Sequence, residues 1–212
     1  MGIGDLLGTL GIWWDLSKPE PKPAPFILPI DRFPVCLPFV LAQECPQPNI
    51  WSSLRNFSDD SHDPGGKTMC GITQREYDAF RKHKGEAVQD VRQISQDEGE
   101  EIYQDNYWMP QCPRLPPGLD LCLFDEAVNA GPFEAIKILQ QALGIRADGI
   151  WGAETDMAVR GIFNLPVIIA NFTRARLAYY QSLPGYTYFG NGWTSRTRAI
   201  GTQALRMTTA SL

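Results

Sequence analysis

Apolar positions along this chain recur mostly at helical spacing. Leu37, Val40, Leu41 and Glu44 fall at i, i+3, i+4 and i+7, so they share one face of a short helix over 38–44, which Cys45-Pro46 ends. Thr73-Gln-Arg-Glu76 and Ser95-Gln-Asp-Glu98 are capping boxes, in which a hydroxyl and a carboxylate satisfy each other's end of a first helical turn. They open helices predicted over 73–85 and 95–107. Glycine stops at Gly131 and Gly144 close helices over 119–130 and 132–143, and further helical patterns cover 153–164, 166–183 and 193–207. Alternating patterns are scarce, so any strand is confined to the loop over 57–72. The fold class is all-α.

Residues 1–35 break this pattern. Six prolines fall between Pro19 and Pro34, and the run Pro19-Glu-Pro-Lys-Pro-Ala-Pro25 predicts an extended, semi-rigid arm. Its apolar tip carries Leu6, Leu7, Leu10, Ile12, Trp13 and Trp14. Two adjacent tryptophans are costly to leave in water, so the arm reads either as a tail or as an anchor that docks on a partner. The organisation expected is an arm over 1–35, a helical domain over 36–130 and a small helical module over 131–212. Trp151 is expected to pack that module.

Composition narrows the function. Of the 212 residues 43% are hydrophobic, and 24 acidic against 19 basic side chains leave a net charge of −5. A nucleic-acid protein held by counterion release needs a basic face, so nucleic acid is not an expected partner. No apolar run reaches the ~20 residues of a membrane helix. The N-terminal apolar stretch lacks a basic start and a small-residue cleavage site, and Asp5 interrupts it, so it does not read as a signal peptide. Cys36, Cys45, Cys70, Cys112 and Cys122 form no CxxC, and His62 and His83 are the two histidines, which argues against a structural or catalytic zinc site. The thiols read as mostly reduced and buried, with a Cys36–Cys45 bridge as the alternative. A Cys70–His pairing is a poor cysteine-peptidase signature, and no Gly-rich phosphate loop follows a strand. No metal or cofactor is expected.

Two groups of residues carry candidate chemistry. Glu44 ends an otherwise apolar face, where partial desolvation favours the neutral acid that a general acid must be. The bland alternative is a helix-terminal Glu reaching water. The loop Asp59-Asp60-Ser-His-Asp63-Pro-Gly-Gly-Lys-Thr68 places carboxylates beside a Pro-Gly-Gly turn. A carboxylate in such a polar turn stays ionised. Glu44 and Asp63 would then be a neutral acid and an ionised base, the pair that glycoside hydrolysis uses, with Thr68 holding water between base and sugar. The alternatives are a surface turn or a weak calcium loop, although the spacing of an EF-hand is missing.

These pieces occur in a recognisable order. An apolar helix ending in Glu is followed by Asp63-Pro-Gly-Gly-x-Thr-x-x-Gly-Ile-Thr73. Then come Ile102-Tyr-x-x-x-Tyr-Trp108 and Gly118-Leu-Asp-x-x-x-Phe-Asp-x-Ala-Val-Asn129-x-Gly131. The whole resembles glycoside hydrolase family 108, lysozyme-like N-acetylmuramidases common in phages and prophages. Leu139-Gln-x-Ala-Leu-Gly144, Asp148-Gly-Ile-Trp-Gly152 and Thr155-x-x-Ala-Val159 resemble the peptidoglycan-binding module that usually follows. The resemblance implies a lysozyme-like helical fold, peptidoglycan glycan strands as partner, Glu44 as catalytic acid, and Asp63 and Thr68 as its helpers. One departure stands out. In the family the Glu is followed by two glycines and, about ten residues on, by the Asp-Pro-Gly-Gly turn. Here Cys45-Pro46 follows Glu44, and 18 residues separate it from Asp63. An ungapped alignment would set Leu54 at the Glu position and imply a dead enzyme; an inserted loop is the preferred reading, because Phe39-Val-Leu-Ala-Gln-Glu44 fits the helix and the 49–57 stretch does not.

Tyr103, Tyr107 and Trp108 are candidate sugar platforms, with a helix-face core pair as the alternative for the two tyrosines. Asp120, Asp125 and Asn129 lie on a helix so apolar that they are expected to tie backbone groups, with Asn129 also a substrate-contact candidate. Two roles fit an enzyme of this kind. One is a soluble endolysin held in the host cytoplasm until a holin releases it. The other is a virion-associated lysozyme anchored by the arm to a tail or capsid protein. A non-catalytic peptidoglycan-binding or structural virion protein is the alternative if the Glu44 alignment is wrong.

Overall fold

A computed structural model describes residues 31–45, 51, 56–59 and 66–209. Residues 31–212 form one compact unit. Among the described residues the chain runs α1 (Phe33–Glu44), β1 (Phe57–Ser58), β2 (Thr68–Met69), β3 (Ile72–Thr73), α2 (Gln74–His83) and α3 (Gln96–Tyr103). It continues with α4 (Leu119–Ala130), α5 (Pro132–Leu143), α6 (Ala153–Arg160), α7 (Leu165–Ser182) and α8 (Tyr186–Thr209). The fold is mostly helical, with one small antiparallel sheet in the order β1-β2-β3. Residues 1–30 of the arm expected over 1–35, Asp63 and most of the inserted loop lie outside the described residues.

The local signals act as their chemistry requires. Thr73 and Ser95 each accept a hydrogen bond from the backbone N–H three residues on, and Glu76 and Glu98 return one to the cap. α3 continues as a π-helical turn through Gln104–Trp108. Two helices start earlier than their sequence pattern predicts. α1 begins at Phe33 and runs through Pro38, because burying Phe33, Cys36 and Leu37 outweighs one missing ladder donor. α8 begins at Tyr186 rather than 193: Tyr186 and Phe189 pack on the Trp193 ring at 6.5 and 5.6 Å, holding turns that Gly190 and Gly192 weaken.

The centre of the molecule is α4. Every residue from Leu119 to Ala127 is buried, so this helix is covered on all sides by α1, α5, α7 and α8. Phe33, Trp108 and Phe124 meet in a three-ring cluster with centroids 5.4–5.9 Å apart, joining α1, the π turn and α4. All five cysteines are buried. Trp151 donates to Asp156 at 2.8 Å beneath the Arg114 guanidinium, fastening the loop before α6. Among the described residues no helix is long and apolar enough to cross a membrane.

A helix this buried still carries three acids. Asp120, Asp125 and Glu126 are each no more than 1% exposed. Each meets a cation, as buried charge requires. Arg32 reaches Asp120 at 2.6 Å, Arg176 of α7 reaches Asp125 at 2.7 Å and also pairs with Glu126, and Arg196 of α8 holds Asp125.

Candidate active site

Glu44 sits at the last residue of α1, and its side chain keeps 19% of its surface open. The apolar stripe Leu37, Val40 and Leu41 turns it inward, as the sequence pattern required. Its surroundings are not purely apolar, which corrects the expectation from sequence. Arg196 Nη1 donates to Glu44 Oε1 at 2.5 Å. The same guanidinium grips Asp125 through Nε, at 3.1 Å to both carboxylate oxygens, and through Nη2 at 2.9 Å. One arginine therefore bridges the exposed end of α1 to the core of α4.

The other oxygen, Oε2, faces the turn between β2 and β3. Gly71 there has φ +74°, and a Cβ added to it would lie 3.0 Å from both Glu44 Oε2 and the Tyr103 hydroxyl. Tyr103 donates to the Cys70 carbonyl at 2.8 Å and so fixes this turn against the acid. Thr68, on β2, donates to the Gly66 carbonyl at 3.1 Å. It lies in the strand that leads into the turn. Asp63 lies outside the described residues, so its place beside Glu44 stays an expectation.

Behind Arg196 the network continues inward. Tyr180 donates to Glu126 at 2.7 Å and accepts from Asn129. Burial pushes the Glu126 carboxyl up to about 7, against the pull of Arg176. The Arg176 guanidinium stacks over Tyr180 at 5.6 Å. Burial also raises the Tyr103 and Tyr107 hydroxyls, with the Glu44 charge adding to the shift. Cys45 is pushed up by its hydrogen bond with Cys70 and by burial.

The structure encloses two of the aromatic candidates. Tyr103 and Trp108 are each 1% exposed, so their ring faces are closed to sugar and belong to the core. Tyr107 is half-buried and donates to Glu76 at 2.5 Å, with its ring 5.8 Å from that of Tyr103. Asn129 stands one turn beyond Asp125 on α4 and donates to the Tyr180 hydroxyl. Sequence reasoning missed Arg176 and Arg196. The signal was a cation within an apolar stripe: Ile169, Phe172, Arg176 and Tyr180 on α7, and Trp193, Arg196 and Ile200 on α8.

Comparison with known proteins now bears on this site. The model of the family described as Glycosyl hydrolase 108 matches residues 48–131. Among solved structures, that of Brucella abortus SagA is 33% identical, with a TM-score of 0.70 over 84% of this chain and 97% of that one. This chain belongs to the glycosyl hydrolase 108 family. It is thus a glycoside hydrolase, and membership supports peptidoglycan as its substrate. No curated protein matches it. The family match spans Asp63, Thr68, Tyr103, Tyr107, Trp108 and Asn129. It begins four residues beyond Glu44 and ends before α7 and α8. The clamp on Glu44 therefore joins residues from both sides of the matched span.

Proposed function

We propose that this glycoside hydrolase is an N-acetylmuramidase, cleaving the β-1,4 bond between N-acetylmuramic acid and N-acetylglucosamine, with Glu44 as general acid. One observation supports Glu44 above the other acids of its network. Its side chain is 19% exposed, whereas Asp125 and Glu126 are fully enclosed, so of these three Glu44 is the carboxyl that substrate can touch. Protonated Glu44 gives its proton to the leaving glycosidic oxygen, and the carboxylate left behind is paired with Arg196. Asp63, with Thr68 placing the water, takes the proton of the water that attacks from the opposite face. If the two carboxyls stand ~6.5–9.5 Å apart, the product anomer is inverted. No metal or cofactor enters this scheme.

The test is loss of turbidity of purified peptidoglycan with wild type and Glu44→Gln, the new reducing ends being identified by mass spectrometry. Lysis by wild type alone, with muramic-acid reducing ends, is the expected result. Substantial lysis by Glu44→Gln would remove the assignment. Binding to sacculi without cleavage by either protein would favour a binding or structural role.

The Pro-rich arm and its Trp13-Trp14 tip support an anchored, virion-associated lysozyme over a holin-released endolysin from the host cytoplasm. Because residues 31–212 form a compact unit of their own, deleting 1–30 is expected to spare lysis and remove the protein from particles. Particles that retain the shortened protein would sink the anchored reading.

A further inference from the structure

We propose that Arg196, delivered by α8 from outside the family match, is a positioning residue that decides which oxygen of Glu44 carries the catalytic proton. The proposal rests on the reading of Glu44 as general acid. An arginine guanidinium has donors and no acceptor. The oxygen that Arg196 Nη1 meets at 2.5 Å, Oε1, must therefore accept. The acidic proton is left to Oε2, the oxygen that faces the Gly71 turn. Arg196 thereby converts a freely rotating carboxyl, in which either oxygen is the acid, into one with a single defined donor.

The arginine is itself immobilised. Asp125 takes its Nε and Nη2, so the planar fork is fixed before it touches Glu44. Arg176 holds Asp125 from the other side at 2.7 Å. The anchor carboxylate is thus shared between two cations from α7 and α8. When the proton moves to the glycosidic oxygen, the new Glu44 anion already faces its counter-ion, and no dipole has to turn.

Among the described residues, the charged and titratable groups that face or lie near Glu44 are Arg196 of α8 with Asp125 of α4 behind it, Tyr103 and Tyr107 from α3 and its π turn, and Cys45 and Cys70. Of these, Arg196 is the permanent cation. Its removal leaves both oxygens of Glu44 free to turn, so kcat falls while KM is kept. A loss in kcat without a matching change in KM or melting point separates positioning from simple destabilisation.

The experiment compares wild type, Arg196→Met, Arg196→Lys and Glu44→Gln in the full chain. The measurements are kcat and KM on soluble peptidoglycan fragments, with thermal melts alongside. Arg196→Met is expected to lose about 100-fold in kcat, the scale of a misplaced reacting group, with KM kept within about threefold. Arg196→Lys keeps the charge but not the fork, so its kcat falls as well. A folded Arg196→Met with wild-type kcat overturns the proposal. If Arg196→Met does not fold, an Arg196→Lys enzyme with wild-type kcat overturns it equally. Activity in Glu44→Gln would instead overturn the acid assignment, and an inactive Glu44→Gln beside fully active Arg196 variants would overturn the clamp alone.

Discussion

Replacing Gly118 with alanine perturbs the point where α8 crosses the start of α4. Gly118 has φ +93°, and a Cβ built there would lie 2.4 Å from the Ala204 carbonyl oxygen, a backbone atom that no rotamer change can move away. Two costs add. Holding alanine in left-handed backbone costs ~1–2 kcal/mol, and forcing a methyl into a filled contact costs ~1–3 kcal/mol. The sum, about 2–5 kcal/mol, corresponds to a fall in Tm of roughly 10 °C for a chain of this size. Gly144 supplies the control. It has φ +72° with nothing within 4 Å of its added Cβ, so Gly144→Ala carries the backbone cost alone and loses about 3–5 °C. The functional consequence follows α8. Ala204 lies eight residues from Arg196, about 12 Å along the helix. A displacement at Ala204 therefore reaches the clamp on Glu44, and Gly118→Ala is expected to lose specific activity at temperatures where it is still folded. Differential scanning calorimetry and turbidity assays at 15–20 °C below each melting point measure both quantities. Equal Tm losses in the two variants, with equal specific activities, would refute the close α4–α8 contact.

Two further expectations are separable from this one. Burial raises Glu126 in the folded protein to about 7 from its ordinary value near 4.5, so the native state holds that proton more tightly than the unfolded chain. Stability therefore falls as pH rises from about 4.5 to 7, by up to ~3 kcal/mol. Glu126→Gln, which keeps an acceptor for Tyr180, flattens that fall in urea titrations between pH 4 and 8; parallel curves for the two proteins would contradict it. Gly71→Ala places a methyl 3.0 Å from Glu44 Oε2 in left-handed backbone. Its kcat is expected to drop at least tenfold while its melting point changes by no more than a few degrees, and unimpaired lysis would separate that turn from the acid.

Much of the fold was legible because its signals are local. The capping boxes at Thr73 and Ser95 and the stops at Gly131 and Gly144 each satisfy backbone groups within one turn, and the structure ends those helices there. Expectations went astray where contacts distant in sequence outweigh local preference. Phe33 extends α1 past two prolines because Trp108 and Phe124 receive its ring. Trp108 looked like a sugar platform beside Tyr107, yet the π turn after α3 swings it into that same cluster and closes its faces. A glycan-stacking ring and a core ring are the same residue type, and only burial tells them apart.

The site was half legible for a related reason. Glu44 declared itself as an acid on an apolar stripe, whereas Arg196 stands 152 residues away and has meaning only once α8 lies across α4. The demand for such a cation was nevertheless present in α4. Asp120, Asp125 and Glu126 interrupt a helix that is apolar on every side, and a helix covered on every side cannot leave carboxylates unpaired. Three buried acids require cations from elsewhere in the chain, and Arg32, Arg176 and Arg196 are the ones that arrive. Two of the three come from stripes on α7 and α8 that are otherwise apolar or aromatic. The second partner of Arg196 is Glu44, and of these four carboxyls it is the one open to solvent. A buried ion network that ends on one open carboxyl couples the packing of the last two helices to the candidate acid at the end of the first. The helices beyond residue 131 are therefore part of the candidate site's construction, and cutting the chain there would strip α4 of α5, α7 and α8 together with Arg176 and Arg196, leaving its apolar faces in water.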